Sequence, residues 1–250
     1  MTLRILSYNI LYGGEDRLPL IASIIQAQQA DVVALLEANS RDNAETLAKQ
    51  LGMDLTFGES NSDFHVAWLS KLPVIRAKNY RFPVLAKTLL EIDISWEGIP
   101  LALFATHLTA GRNEEHERYR VGEMQVILEV LQSLGDRPHA LVGDLNTLDP
   151  KDVPELPMEI TVGTKQSQLQ PATISWQVYS LLTNAGYVDC YRLANPTEQG
   201  FTYTRPHPVI RIDYIFATPS LAQRLSACEV VVGEDAMIAS DHLPIWAEFK

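Results

Sequence analysis

The chain has 250 residues, 46% hydrophobic and 20% charged, an ordinary globular balance and long enough to bury a sizeable core in one large α/β domain spanning residues 1–250. Lys and Arg total 20 against 31 Asp and Glu, and the resulting net charge of −11 repels polyanions and disfavours sequence-blind binding to long nucleic acid. Two cysteines, Cys190 and Cys228, exclude a disulfide framework, no close Cys/His set suggests structural zinc, and no apolar run approaches membrane-spanning length.

Residues 3–9 read as a strand ending in a polar residue, and 16–29 as a helix with Leu20, Ile21, Ile24 and Ile25 on one face. The opening residues enter that strand directly and lack signal-peptide anatomy, so a cytoplasmic protein is expected. Residues 31–37 form an almost wholly apolar run of strand length, as expected of a strand covered on both faces. A second helix is predicted over 41–51, stopped by Gly52. Strands follow at 64–70, 74–81, 88–96 and 101–107, punctuated by Leu72-Pro73 and Gly98-Ile99-Pro100.

The longest helix is predicted over 112–134, with Met124, Ile127, Leu128, Leu131 and Leu134 at helical spacing. Its residues Arg112, Arg118 and Arg120 form either a local basic strip or a solvated helix face. A buried strand at 139–142 leads into Asp144. The stretch 149–171 has little periodicity and reads as a long loop, either over the active-site mouth or a plain surface insertion. A short helix at 175–184 and strands at 210–217, 225–232 and 244–249 complete the chain. Strands with interspersed helices, first in one half and then in the other, predict two sheets packed face to face with helices outside.

Chemistry-bearing residues recur at or just beyond the carboxyl ends of apolar runs: Asn9, Glu37, His107, Asp144 with Asn146, and Asp241 with His242. Phosphoester hydrolysis needs a divalent cation, a group that orients water, and donors for developing negative charge. A carboxylate closing a buried run, as Glu37 does, is costly unless paired or metal-bound, so it is either the main Mg²⁺ ligand or a salt-bridged strand end. Asp144 and Asn146, two apart, share a face on an extended backbone, with Asp144 to deprotonate water and Asn146 to donate to phosphate; the alternative is a simple Asx turn. Asp241 suits a metal and His242 the scissile phosphate, with Asp213 as the carboxylate that fixes the imidazole; alternatively Ser240-Asp241-His242 caps a turn before Pro244. His107 is either a second phosphate-side donor or a structural strand-end histidine, and Asn9 either supports Glu37 or merely ends its strand.

Taken in order, Asn9, Glu37, Leu69-Ser70-Lys71-Leu72-Pro73-Val74, His107, Asp144/Asn146, Asp213 and Asp241/His242 resemble the endonuclease/exonuclease/phosphatase (DNase I-like) superfamily over nearly the whole chain. The resemblance implies a four-layer α/β/β/α sandwich with two packed mixed β-sheets, and Mg²⁺ or Mn²⁺ at Glu37 helped by Asp241 and Asn9. It implies that Asp144 aligns the attacking water, that Asn146 and His242 contact the phosphate, and that Asp213 supports His242. His107 matches the DNase I-like and sphingomyelinase-like branches and argues against the exonuclease III-like abasic endonucleases. Three positions depart from the pattern: Leu36 replaces the usual Gln before the metal Glu, Leu11 stands where some nucleases have an acidic ligand, and Lys87 where the family often has Arg. The expected activity is hydrolysis of a phosphodiester or phosphomonoester in a small molecule, lipid head group or nucleic-acid end, with no obligate protein partner. The alternatives are a true nuclease and a non-catalytic binding module of the same fold.

Overall fold

The computed structural model describes residues 2–152, 158–162, 165–169, 176–203 and 208–250. Two six-stranded sheets dominate it. The first runs β13 (Leu225–Val230), β14 (Ile245–Phe249), β1 (Leu3–Asn9), β2 (Val32–Leu36), β4 (Val66–Ser70) and β3 (Asp54–Gly58). The second runs β11 (Val188–Asp189), β12 (Asp213–Ala217), β8 (His139–Asp144), β7 (Ile99–His107), β6 (Leu89–Trp96) and β5 (Val74–Tyr80). Only β1–β2 and β7–β8 pair in parallel; the other neighbours within these two sheets are antiparallel. Each parallel pair is joined by a helical crossover, α1 (Leu18–Ala27) or α3 (Glu114–Gln132), because parallel strands cannot be closed by a hairpin. Read from β13 in one sheet and from β5 in the other, the order of pairings is the same.

The layers follow from side-chain alternation. On β2, Val32, Ala34 and Leu36 enter the core between the sheets, while Val33 and Leu35 face α1 and α2 (Arg41–Leu51). The second sheet does the same: Ala140 and Val142 of β8 point inward, and Leu141 packs outward with Met124, Ile127 and Leu131 of α3. The sandwich is therefore helix, sheet, sheet, helix, as the sequence predicts. Trp68 of β4 is fully buried, and its indole N–H donates to the Leu90 carbonyl of β6 at 3.0 Å, a polar stitch between the sheets.

Capping explains the helix limits. Ser40 accepts the Asn43 N–H at the start of α2, and Gly52 ends it in the left-handed conformation at φ 63°. Asn113 caps α3 through the His116 N–H, so the helix starts two residues after the predicted 112. Helix α1 begins at Leu18 rather than 16, since Arg17 has the non-helical angles of an N-cap (φ −96°, ψ 3°) and Pro19 follows in the first turn.

Several short elements escape the sequence reading. Strand β3 is a half-exposed sheet edge with little apolar alternation. Helices α5 (Cys190–Ala194), α6 (Pro219–Ala222) and α7 (Glu234–Ala239) are too short to show a period, whereas α4 (Gln177–Asn184) lies within the predicted 175–184. The predicted loop at 149–171 contains a 3-10 turn (Pro150–Asp152) and an antiparallel ribbon of β9 (Met158–Val162) with β10 (Lys165–Leu169). Residues 153–157, 163–164 and 170–175 lie outside the described residues. Among the described residues no helix is long and apolar enough to cross a membrane.

Candidate active site

The site arises from the same alternation that builds the core. The inward stripe Leu101, Leu103, Ala105 of β7 ends at His107; Ala140 and Val142 of β8 end at Asp144; Ala217 and Ile215 of β12 begin at Asp213; Leu3 and Ile5 of β1 lead to Asn9. Register sets His107, Asp144 and Asp213 side by side across β7, β8 and β12. The polar ends of both sheets consequently meet at one edge of the sandwich, where β1, β2, β7 and β8 present their carboxyl ends.

Asp144 is the hub. Its Oδ2 accepts from Asn9 Nδ2 at 3.2 Å and lies 3.3 Å from His107 Nε2 and 3.7 Å from His242 Nε2. Its Oδ1 accepts the Asn146 N–H at 3.1 Å. Asn9 Nδ2 also donates to Glu37 Oε1 at 3.3 Å, so one amide links the acids of the two sheets. Glu37 Oε2 accepts the Tyr12 N–H at 3.0 Å. His242 Nδ1 donates to Asp213 Oδ2 at 2.8 Å. Ser240 Oγ donates to the Asn9 carbonyl at 2.7 Å and accepts the His242 N–H, so the turn carrying Asp241 is fastened to the end of β1. The structure thus gathers Glu37, Asn9, Asp144, His107, His242, Asp213 and Asn146 into one connected network, with Asp241 on the turn tied to it.

Two expectations about geometry change. Asn146 does not continue the extended strand: it sits at φ 49°, forms the Asx turn with Asp144, and its Nδ2 donates to the Leu108 carbonyl at 3.3 Å. Turn and site coexist there. Asn9 accepts the Leu11 N–H on its oxygen at 3.1 Å and turns its nitrogen toward the acids, so it bridges Glu37 and Asp144 beside the expected metal position.

Burial and charge set the protonation states. Burial raises Asp144 to about 6; the nearby His242 opposes the shift, and the nearby Asp213 adds to it. Burial opposes the charge on His242, but Asp213 and Asp144 outweigh it and push the imidazole up to about 10. His107 is held well below the ordinary range by burial, then by Lys87 and His242, and is neutral. Near neutrality the site therefore holds an imidazolium, a neutral imidazole and a carboxylate basic enough to take a proton.

The donor set suits a hard divalent cation at Glu37 and Asp241. Both are carboxylates, and Asp241 Oδ1 is buried with no hydrogen-bond partner among the described residues. Asp144, Asp213 and His242 also place ligand atoms within 4.8 Å of one another. Within this trio His242 Nδ1–H donates to Asp213, while its Nε2 stands 3.7 Å from Asp144 Oδ2, beyond hydrogen-bond reach, so an acid–imidazole pair faces the hub carboxylate.

Other residues near the network had weaker sequence signals. The Lys87 ammonium is buried, donates to the Leu108 carbonyl at 2.7 Å, and is lowered by desolvation against the pull of Asp144, Glu123 and Glu37. Tyr203 packs its ring 4.7 Å from that of His242, a contact that nothing in the local sequence announces. The three arginines near the start of α3 do not form a strip. Arg120 is buried against Glu117 and the Thr109 and Gly111 carbonyls, Arg118 is exposed, and Arg112 alone reaches the site, 5.9 Å from the Tyr203 ring centroid.

The Endonuclease/Exonuclease/phosphatase family model matches residues 6–242, which span the whole network. The chain belongs to this family. As a member it is a metal-dependent phosphoric ester hydrolase. Exodeoxyribonuclease III of Haemophilus influenzae is 27% identical, over 99% of this chain and all of that protein. Among solved structures, an endonuclease/exonuclease/phosphatase from Beutenbergia cavernae is 23% identical with a TM-score of 0.78, over 100% of this chain and 71% of that one. An AP endonuclease from Archaeoglobus fulgidus is 20% identical with a TM-score of 0.79, over 99% of both chains. These two likenesses show the DNase I-like fold. The Haemophilus influenzae relative carries the exonuclease III name, whereas the resemblance at His107 implied a branch other than the abasic endonucleases.

Proposed function

We propose that this family member hydrolyses a phosphodiester or phosphomonoester by in-line attack of a water that Asp144 aligns and deprotonates. The observation that carries the reading is the hub: one buried carboxylate, raised to about 6, touched by Asn9 and His107 and facing His242. The charged His242, held by Asp213, donates to the phosphate oxygens as negative charge develops. His107 keeps Asp144 oriented by donating from Nε2, and Asn146 offers its second amide N–H to the phosphate. Glu37 and Asp241 hold the cation, Mg²⁺ or Mn²⁺, with Asn9 positioning Glu37. When bound, the cation supplies Lewis-acid neutralisation of phosphate charge. Residues 1–250 act as one catalytic unit, and the two free thiols, Cys190 and Cys228, suit the reducing cytoplasm.

The test is a panel of phosphodiesters and phosphomonoesters titrated with Mg²⁺ and Mn²⁺. We expect turnover that EDTA abolishes and either metal restores; no metal-dependent hydrolysis of any member would sink the reading. A second reading, nuclease action on nucleic acid, is favoured by the relative named exodeoxyribonuclease III. The net charge of −11 and the unassembled arginines of α3 weigh against a tight hold on duplex. Salt-dependent duplex binding in the micromolar range or tighter would favour it.

A further inference from the structure

The groups assigned to chemistry leave unexplained the aromatic side chains that stand beside them. Tyr12 is 54% exposed, although its own N–H is hydrogen-bonded to Glu37 Oε2. The backbone arrives there through two consecutive non-glycine residues in the left-handed region, Leu11 at φ 52° and Tyr12 at φ 50°. Side chains with a Cβ avoid that region, and strain of this kind clusters at functional sites. The ring so displayed lies 6.0 Å, centroid to centroid, from the part-buried Phe64. Phe64 meets the ring of His107 edge-on at 6.4 Å, and the Lys87 ammonium stands 5.9 Å from its centroid. A continuous aromatic path thus runs from solvent at Tyr12 to the imidazole beside Asp144.

A single exposed aromatic ring is ordinary. This one differs in being anchored through its backbone to a carboxylate of the site and joined to a second ring that touches the site histidine. Stacking on such a pair needs no positive surface field, which suits a chain of net charge −11 that does not attract polyanions from a distance.

We propose that Tyr12 and Phe64 form a stacking subsite that selects phosphoesters carrying a planar ring, a nucleobase or an aryl group, next to the reacting phosphate. The subsite deepens the hydrolase reading above and rests on it for the identity of the phosphate site. Calorimetric titration in Mg²⁺, in an Asp144→Asn background that prevents turnover, compares three phosphomonoesters: thymidine 5′-monophosphate, phenyl phosphate and ribose 5-phosphate. Ring-bearing esters should bind about tenfold tighter than ribose 5-phosphate, with Tyr12→Ala and Phe64→Leu removing most of that margin and Tyr12→Phe keeping it. Preference for the thymidine ester alone identifies the ring as a nucleobase; preference for both identifies a general aryl site. Equal binding of all three, no binding of any, or a Tyr12→Ala loss shared equally by ringless and ring-bearing esters overturns the subsite. Ring-selective binding in a protein whose wild type turns over no phosphoester would keep the subsite and remove the hydrolase reading alone.

Discussion

Asp144 shows how much one side chain's chemistry depends on its neighbours. A free aspartate is a poor base near neutrality; burial raises this one to about 6 while His242 restrains the rise. Removing its charge in Asp144→Asn should lower kcat/KM by about 10²–10⁴-fold with the fold unchanged, as read by steady-state kinetics and circular dichroism. His242→Ala should cost about 10²–10³-fold by removing the imidazolium aimed at the phosphate. Because Asp213 acts through His242, the two are expected to be strongly non-additive: Asp213→Asn added to His242→Ala should cost little more than His242→Ala alone. Additive losses in that cycle would show that Asp213 does not act through His242. Glu37→Gln should raise the Mg²⁺ concentration needed for half-maximal rate, and an unchanged metal titration would remove Glu37 from the metal site.

At the scale of elements, the approach of β7 to β8 controls where Asp144 stands. Gly143 lies at φ 147°, and a Cβ built there would fall 1.8 Å from the Thr106 carbonyl oxygen. Gly143→Ala must push the strands apart, so a loss of about 3 kcal/mol or more is expected in denaturant unfolding, with lost activity from the displaced hub. The sequence shows a glycine before Asp144 but not the strand pressed against it, since β7 precedes β8 by a whole crossover helix. A second long-range device is the buried Arg211, which bonds Asp149, Asp152 and Asp189 at 2.7–3.2 Å. It ties the segment after Asn146 to the start of β12, and this pairing of distant charges has no local signature. The long regular elements were readable because their apolar periods are set by burial; β3 and α7 were not, one being a half-exposed edge and the other too short for a period.

The molecule as a whole carries two tests of the sandwich. Trp68→Ala empties the space between the sheets and leaves the Leu90 carbonyl without its indole donor, for an expected loss of about 3–5 kcal/mol in unfolding free energy. Acid stability is the other. His139 is buried, with Nδ1 donating to the Arg137 carbonyl and Nε2 accepting from the Tyr187 hydroxyl, both at 2.7 Å. That arrangement serves the neutral ring, and burial lowers its pKa, opposed by the Arg137 carbonyl. The unfolded state then binds more protons than the folded one below the ordinary histidine pKa of about 6.5, so stability falls as pH drops through that point. The buried His107 contributes with the same sign. Asp144 and His242, whose pKa values folding raises, act in the opposite sense over this window, so His139 is read from a difference. From pH 7 to 5.5 the denaturant midpoint of the wild type should fall relative to that of His139→Gln, and an identical pH dependence in that variant would exclude His139.

By itself the sequence determined the apolar stripes, and with them the strands, the long helices and the polar residue that closes each stripe. Those features follow from local alternation and the cost of burying a lone charge. Only the tertiary structure decided that Asn9 turns its nitrogen to Glu37 and Asp144, that Asn146 leaves the strand, that Arg120 is buried instead of facing solvent, and that Tyr203 packs on His242. Each depends on a partner brought from a distant part of the chain, and hydrogen-bond direction and packing have no periodicity to read.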